Sequence, residues 1–208
     1  MLLFDLDGTL IESNSIWEDV DLEFLGRHGL QSTEEYAQMV GHSIFPVAAQ
    51  FTLDYFHLPG TVEELMAEWI QMAEARYRVV PMKEGAMDFL RQCADAGERM
   101  AMVTACESSL CRIALECHGL TGFFEEVILA EKMGLEKRDP RVFFNAAERL
   151  NVAPEACVMY EDAPKNCLAA KTAGMKVVGV YDRFYAKYEE EMHKTCDRYI
   201  KSFTELLV

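Results

Sequence analysis

The amino-acid sequence predicts an α/β protein, in which a parallel sheet forms the core and an all-helical segment is inserted. Two observations support this prediction. Short apolar runs alternate with amphipathic helical patterns along most of the chain, whereas residues 12–80 contain helical patterns alone. Such alternation favours a parallel sheet with helices on both faces. The 208 residues suffice for this core and a second, smaller subdomain.

The strands are predicted from apolar runs that end in polar or turn residues. These runs cover residues 2–5, 99–103, 127–129, 157–160, 176–180 and 198–200. Apolar stripes at helical spacing separate them, and glycines 97, 119 and 174 follow three of the predicted helices, where a left-handed cap is favoured. Asp139-Pro140 is typical of an N-cap followed by proline at the first helical position.

The inserted segment divides the predicted domains. Residues 1–11 and 81–208 are predicted to form the α/β core, and residues 12–80 a helical subdomain. Two helices of this subdomain are predicted to begin at capping boxes, which are Ser32-x-x-Glu35 and Thr61-x-x-Glu64.

Composition excludes several classes of function. Acidic residues exceed basic ones by 15, which disfavours nucleic-acid binding. No apolar run is long enough to span a membrane, and Asp5 interrupts the apolar N-terminus too early for a signal peptide. The seven cysteines form no C-x-x-C pair, and we expect them, Cys117 on a helical stripe included, to be buried thiols of a reducing compartment. We therefore expect a cytoplasmic protein, most simply a monomer.

Acidic, hydroxyl and basic side chains stand at the carboxyl ends of the predicted strands, where ligands bind in an open parallel sheet. They suit phosphoryl transfer, because one carboxylate can attack phosphorus, a second can move protons, and a cation held by carboxylates can neutralise the phosphoryl oxygens. A hydroxyl, a lysine and backbone N–H groups can hold those oxygens in place. The side chains are Asp5, Asp7, Thr104, Lys137, Glu161 and Asp162.

Four segments together resemble the motifs of the haloacid dehalogenase-like (HAD) hydrolases, whose core is Rossmann-like. They occur in the family's order between residues 5 and 164, which makes the resemblance far more specific than a lone D-x-D. The segments are Asp5-Leu6-Asp7-Gly8-Thr9-Leu10, Val103-Thr104, Lys137-Arg138-Asp139-Pro140 and Tyr160-Glu161-Asp162-Ala163-Pro164.

The resemblance implies a role for each of these positions. Asp5 would be the nucleophile that forms an aspartyl-phosphate, and Asp7 the general acid and base. The phosphate would be bound by Thr104, the backbone N–H of Ala105, and Lys137. Magnesium would be held by the side chains of Asp5 and Asp162 and by the backbone carbonyl of Asp7. Glu161 would be either a further direct ligand or a residue that contacts a ligand. Arg138 stands where the family usually has proline, which makes Arg138 an alternative to Lys137.

The resemblance also implies that residues 12–80 form the family's type-1 cap, which closes over the substrate and selects it. His42 lies about where related caps present a polar loop to the substrate. It is predicted to contact substrate, although an ordinary loop histidine explains the sequence equally well.

The predicted reaction is magnesium-dependent hydrolysis of a phosphate monoester of a small metabolite, such as a sugar phosphate. A β-phosphoglucomutase-like reaction is the main alternative. It is disfavoured because Trp17 and Ile44 occupy the places of that branch's cap histidine and arginine. Asp7 disfavours dehalogenation, and Lys83 is the one candidate for the Schiff-base lysine of phosphonate-cleaving relatives. A noncatalytic binding protein on the same fold is a further alternative.

Overall fold

A computed structural model describes residues 1–41 and 45–208 and contains a parallel sheet of six strands. The strands are ordered β3-β2-β1-β4-β5-β6, so that β1 lies in the interior of the sheet between β2 and β4. Their bounds are β1 Leu2–Phe4, β2 Met100–Thr104, β3 Val127–Leu129, β4 Val158–Glu161, β5 Lys176–Val180 and β6 Arg198–Ile200.

The α-helices that alternate with these strands belong to one compact unit, which comprises Met1–Asn14 and Arg78–Val208. They are α5 Ala86–Asp95, α6 Ser108–Cys117, α7 Pro140–Arg149, α8 Pro164–Thr172 and α9 Glu189–Thr195. Their buried faces and the strands form the hydrophobic core, in which α7 contributes Val142 and Phe143. The buried strands read as continuous apolar runs because helices cover the parallel sheet.

A second compact unit comprises Ser15–Tyr77 and contains no strand among its described residues. Its helices are α1 Ile16–Arg27, α2 Glu34–Gly41, α3 Phe45–Phe56 and α4 Val62–Tyr77. Trp69 packs edge-on against Phe24, with ring centroids 5.8 Å apart. The buried hydroxyl of Tyr36 donates to Asp21 at 2.6 Å, so this polar group is satisfied inside the unit.

The predicted α/β fold is confirmed, with small corrections at the ends of elements. Asp5 lies just beyond β1 rather than within it, and Glu161 is the last residue of β4. The predicted capping box at Thr61 and Glu64 is confirmed by reciprocal hydrogen bonds of 2.9 and 3.2 Å. The box predicted at Ser32 is wrong, because Thr33 accepts the hydrogen bond from the N–H of Tyr36.

Cys117 corrects a second prediction, because the side chain is exposed at the last residue of α6 rather than buried in the apolar stripe. The buried residues of α6 extend only to Leu115, and Cys117 lies beyond them at the end of the helix. Among residues 1–41 and 45–208, none of the helices combines the length and the apolar character that crossing a membrane requires.

Candidate active site

Asp5 emerges from the interior strand of the sheet. Phe4 is in register with Met102 of β2 and with Tyr160 of β4, so the chain leaves β1 between two neighbouring strand ends. The N–H of Asp5 donates to the carbonyl of Tyr160 at 3.0 Å, which extends the pairing by one residue. The residue is only 5% exposed. The fold therefore fixes this carboxylate at the carboxyl edge of the sheet.

Lys137 joins Asp5 to the end of β4. Its Nζ lies 2.5 Å from Asp5 Oδ1 and 2.7 Å from Glu161 Oε2, and all three side chains are buried. The other oxygen of Glu161 accepts hydrogen bonds from the N–H of Ala163 at 3.0 Å and from Asn166 at 3.3 Å. These contacts fix Glu161 in place, and its Oε2 faces the ammonium of Lys137.

Asp162 receives a hydrogen bond at each oxygen. The hydroxyl of Thr9 donates to Oδ1 at 3.1 Å, and the amide of Asn14 donates to Oδ2 at 2.6 Å. Thr9 also donates to Asp5 Oδ2 at 3.4 Å, so this fully buried hydroxyl connects two carboxylates. Asp5, Glu161 and Asp162 form a buried group in which one oxygen of each lies within 4.8 Å of the others.

A tight turn brings the segment after β1 back to this group. Gly8 has a positive φ of 75°, which glycine adopts without strain, and its N–H donates to the carbonyl of Ile11 at 2.9 Å. Ser13 follows the turn and donates to Asp7 Oδ1 at 2.6 Å. The carboxylate of Asp7 is therefore oriented by a hydroxyl that is buried at the end of the turn.

Thr104 ends β2, on the other side of β1. The side chain is fully buried, and its Oγ1 accepts a hydrogen bond from the N–H of Cys106 at 3.0 Å. Helix α6 is capped by Glu107, which accepts from the N–H groups of Ser109 and Leu110. Thr104 is thus not the cap of this helix, and Ala105 is exposed beside it.

The charges of the group are unbalanced, since three buried carboxylates face one ammonium. Burial raises the pKa of Asp5 to about 7; the charge of Glu161 adds to this rise, and Lys137 opposes it. Burial and the charges of Glu161 and Asp5 likewise raise the pKa of Asp162. Burial lowers the pKa of Lys137, but Asp5 and Glu161 outweigh it and the net pKa rises, so the lysine is charged.

A divalent cation fits this donor set. Carboxylate oxygens are the ligands that magnesium prefers, and a cation would neutralise the excess negative charge that Lys137 leaves. Asp5 and Asp162 would hold it, with Glu161 next to them. In proteins, ionised carboxylates buried this closely require a proton, a metal or a basic partner.

The other candidate residues from the sequence lie in different surroundings. Arg138 is exposed and pairs with Glu136, which places its guanidinium outside the buried group. Lys83 is buried between Asp182 at 2.6 Å and Glu12 at 2.8 Å. Burial lowers the pKa of Lys83, but these partners raise it overall, so the amine is held protonated rather than free to form a Schiff base. His42 and Ile44 lie outside the described residues.

Sequence reasoning missed three residues of the site, namely Thr9, Ser13 and Asn14. Each hydrogen-bonds to a carboxylate that the motifs had already identified. The available signal was their polar character, Thr9 within the first motif and Ser13 and Asn14 shortly after it. It did not reveal their partners, because Asn14 and Asp162 are 148 residues apart.

Comparison with known proteins defines the class. The model of the haloacid dehalogenase-like hydrolase family matches residues 2–180, and the chain belongs to this family. The family and fold predictions are thereby confirmed.

Individual relatives agree with this assignment. Over 86% of the chain and 81% of the relative, the sequence is 30% identical to hexitol phosphatase A of Escherichia coli (strain K12). It is 28% identical to a bifunctional riboflavin kinase/FMN phosphatase of Arabidopsis thaliana over 86% of the chain, and spans about half (48%) of that longer protein. A HAD family hydrolase from Deinococcus radiodurans R1, solved with bound phosphate and sodium, is 25% identical with a TM-score of 0.74, covering 99% of this chain and 92% of that one.

Proposed function

We propose that the protein is a magnesium-dependent phosphatase that hydrolyses a phosphate monoester of a small metabolite, with sugar phosphates as the first class to test. The observation that carries the proposal is the buried contact of Asp5 with Lys137, beside the pair Glu161 and Asp162. The phosphatase names of relatives such as hexitol phosphatase A support it.

In this proposal Asp5 attacks phosphorus through a carboxylate oxygen and forms an aspartyl-phosphate, while the alcohol leaves with a proton. Asp7 supplies that proton and then accepts one from the water that hydrolyses the intermediate. Its hydrogen bond from Ser13 orients the carboxyl for this exchange. Lys137, the hydroxyl of Thr104 and the N–H of Ala105 hold the phosphoryl oxygens.

A magnesium ion bound by Asp5, Asp162 and the backbone carbonyl of Asp7 would neutralise developing charge on the phosphoryl group. Glu161 is engaged at both oxygens, at one by Ala163 and Asn166 and at the other by Lys137. Its proposed part is to hold Lys137 in place and to add negative charge beside the cation. Residues 12–80 are proposed to act as the cap that selects substrate, with His42 among its contacts.

We expect the purified protein to release inorganic phosphate from members of a panel of phosphorylated metabolites, and to stop when magnesium is removed. Without the cation, the carboxylates would repel an anionic substrate, so excess chelator should lower the rate at least about 100-fold. Phosphate release with and without chelator, followed by added magnesium, measures this. Full activity in excess chelator would contradict the metal assignment, and no release from any substrate would contradict the phosphatase proposal.

A sugar phosphomutase is the alternative within the family. Trp17, which stands in place of that branch's histidine, packs against Phe45 with ring centroids 5.1 Å apart. An indole cannot take up and return a proton as imidazole does at neutral pH. This difference favours water, rather than a second sugar hydroxyl, as the acceptor of the phosphoryl group.

With a hexose 1-phosphate we therefore expect free phosphate and free sugar in equal amounts. Hexose 6-phosphate should form at less than about a hundredth of the rate of phosphate release, because Trp17 cannot exchange a proton with a second sugar hydroxyl as a histidine would. Quantifying both products in one reaction provides the test. Hexose 6-phosphate without free phosphate would establish the mutase instead.

A further inference from the structure

The side chain of Asn14 contacts a carboxylate of the candidate metal site. Asn14 is the last residue of Met1–Asn14, and its Nδ2 donates to Asp162 Oδ2 at 2.6 Å. The amide thus contacts a carboxylate that is buried at 2% exposure. Asn14 follows the turn after the first motif, and it hydrogen-bonds to this carboxylate.

Both oxygens of Asp162 are held by these contacts. Thr9 donates to Oδ1 at 3.1 Å while Asn14 donates to Oδ2. Rotation of the carboxylate about its Cβ–Cγ bond would break at least one of the two hydrogen bonds. Asp162 would therefore meet a cation as a carboxylate whose orientation is already set.

The turn at Gly8 is shaped around this contact. A Cβ atom at Gly8 would lie 2.1 Å from Asn14 Nδ2 and 2.1 Å from Asp162 Oδ2. Any side chain there would push the amide away from the carboxylate. Glycine is needed at this position for the close approach as well as for its positive φ of 75°.

We infer that Asn14 is a positioning residue that makes the site select magnesium over calcium. The inference rests on the proposed function, because it concerns the same cation. Magnesium is small and demands a nearly ideal octahedral arrangement, whereas calcium accepts more ligands, bidentate carboxylates and flexible geometry. A carboxylate held at both oxygens suits the strict geometry that magnesium requires. It cannot easily turn both oxygens toward a larger ion.

Titration of the metal-free protein with magnesium or calcium alone, followed by calorimetry, tests the inference without reference to turnover. Asn14→Ala should weaken magnesium binding about 10-fold, as loss of a group that orients a metal ligand typically does. Calcium binding should change by less than about 2-fold, because a released Asp162 can turn toward the larger ion. The ratio of the two affinities should thus fall several-fold.

Two further variants separate positioning from general damage. Asn14→Leu keeps about the size of the side chain but has no N–H to donate to Asp162 and no oxygen to offer the cation, and it should lower the magnesium preference at least as far. Asn145→Ala removes an amide on α7 whose hydrogen bond is to Met133 rather than to a carboxylate of the site, and it should leave both affinities unchanged. Thermal unfolding of each variant establishes that it is folded during the titration.

The outcomes are distinguishable. A several-fold fall in the magnesium preference of both folded Asn14 variants supports the inference. An unchanged preference in either one overturns it while the proposed magnesium site stands. If the wild-type protein binds neither cation, the proposed site and the inference are both wrong.

Discussion

Asp5→Asn is expected to reduce turnover at least about 1,000-fold while the protein remains folded, since loss of a nucleophile removes the reaction path itself. The amide keeps the size of the carboxylate but cannot form a phosphoryl-enzyme intermediate. Steady-state rates measured on the best substrate of the panel, with saturating magnesium, give the size of the effect. A variant that keeps more than about a tenth of the wild-type rate would remove Asp5 from the role of nucleophile.

The same substitution, which is expected to lower turnover, is expected to raise the stability of the fold. Burial and the charge of Glu161 raise the pKa of Asp5 to about 7, so the ionised form is disfavoured in the folded protein. An acid whose pKa is raised from 3.8 to about 7 on folding destabilises the fold increasingly between those two pH values, and most above pH 7. In metal-free buffer at pH 8, Asp5→Asn should therefore unfold at a temperature about 2 °C or more above the wild type, the shift that about 1 kcal/mol produces in a chain of this size.

A matched substitution separates this effect from a general response to losing an acidic residue. Asp88 lies exposed on α5, where its side chain pairs with Arg91 at 3.6 Å. Asp88→Asn should retain wild-type turnover and the wild-type unfolding temperature. If Asp5→Asn instead unfolds well below the wild type, its loss of activity would no longer identify a catalytic role.

Lys137→Met should impair both activity and stability. Removing the ammonium leaves Asp5 and Glu161 buried without their cationic partner, and breaking a buried ion pair typically costs about 3–5 kcal/mol. The unfolding temperature should fall by about 10 °C at pH 8 in metal-free buffer. The deficit should shrink at pH 5, because the orphaned carboxylates can then take up protons. Turnover should fall about 100-fold or more as a phosphate contact is lost.

Arg138→Ala provides the comparison, because Arg138 is the neighbouring cation and the alternative phosphate ligand. Its side chain is 52% exposed and pairs with Glu136 on the surface. Exposed ion pairs contribute about 0–1 kcal/mol, so stability should barely change, and turnover should remain within about 2-fold of the wild type. A large loss in Arg138→Ala with a small one in Lys137→Met would reverse the assignment.

The sequence by itself determined the fold class and the order of the elements. Periodicity of apolar residues is local, and it reports which face of a helix or strand is buried. Since the carboxyl ends of parallel strands meet at one edge of a sheet, it also placed Asp5 and the pair Glu161 and Asp162 at the same edge. The sequence did not determine where each element ends. Cys117 belongs to an apolar stripe, yet its side chain is exposed at the last residue of its helix.

The tertiary structure alone decided which side chains touch. Lys137 and Arg138 are adjacent in the sequence and carry the same charge, yet only the first enters the buried group. Asn14 and Thr9 meet Asp162 across 148 and 153 residues, respectively. Such contacts depend on how separate elements pack, and no local pattern encodes them. The sequence determined where the carboxylates stand, and the packing determined which groups orient them.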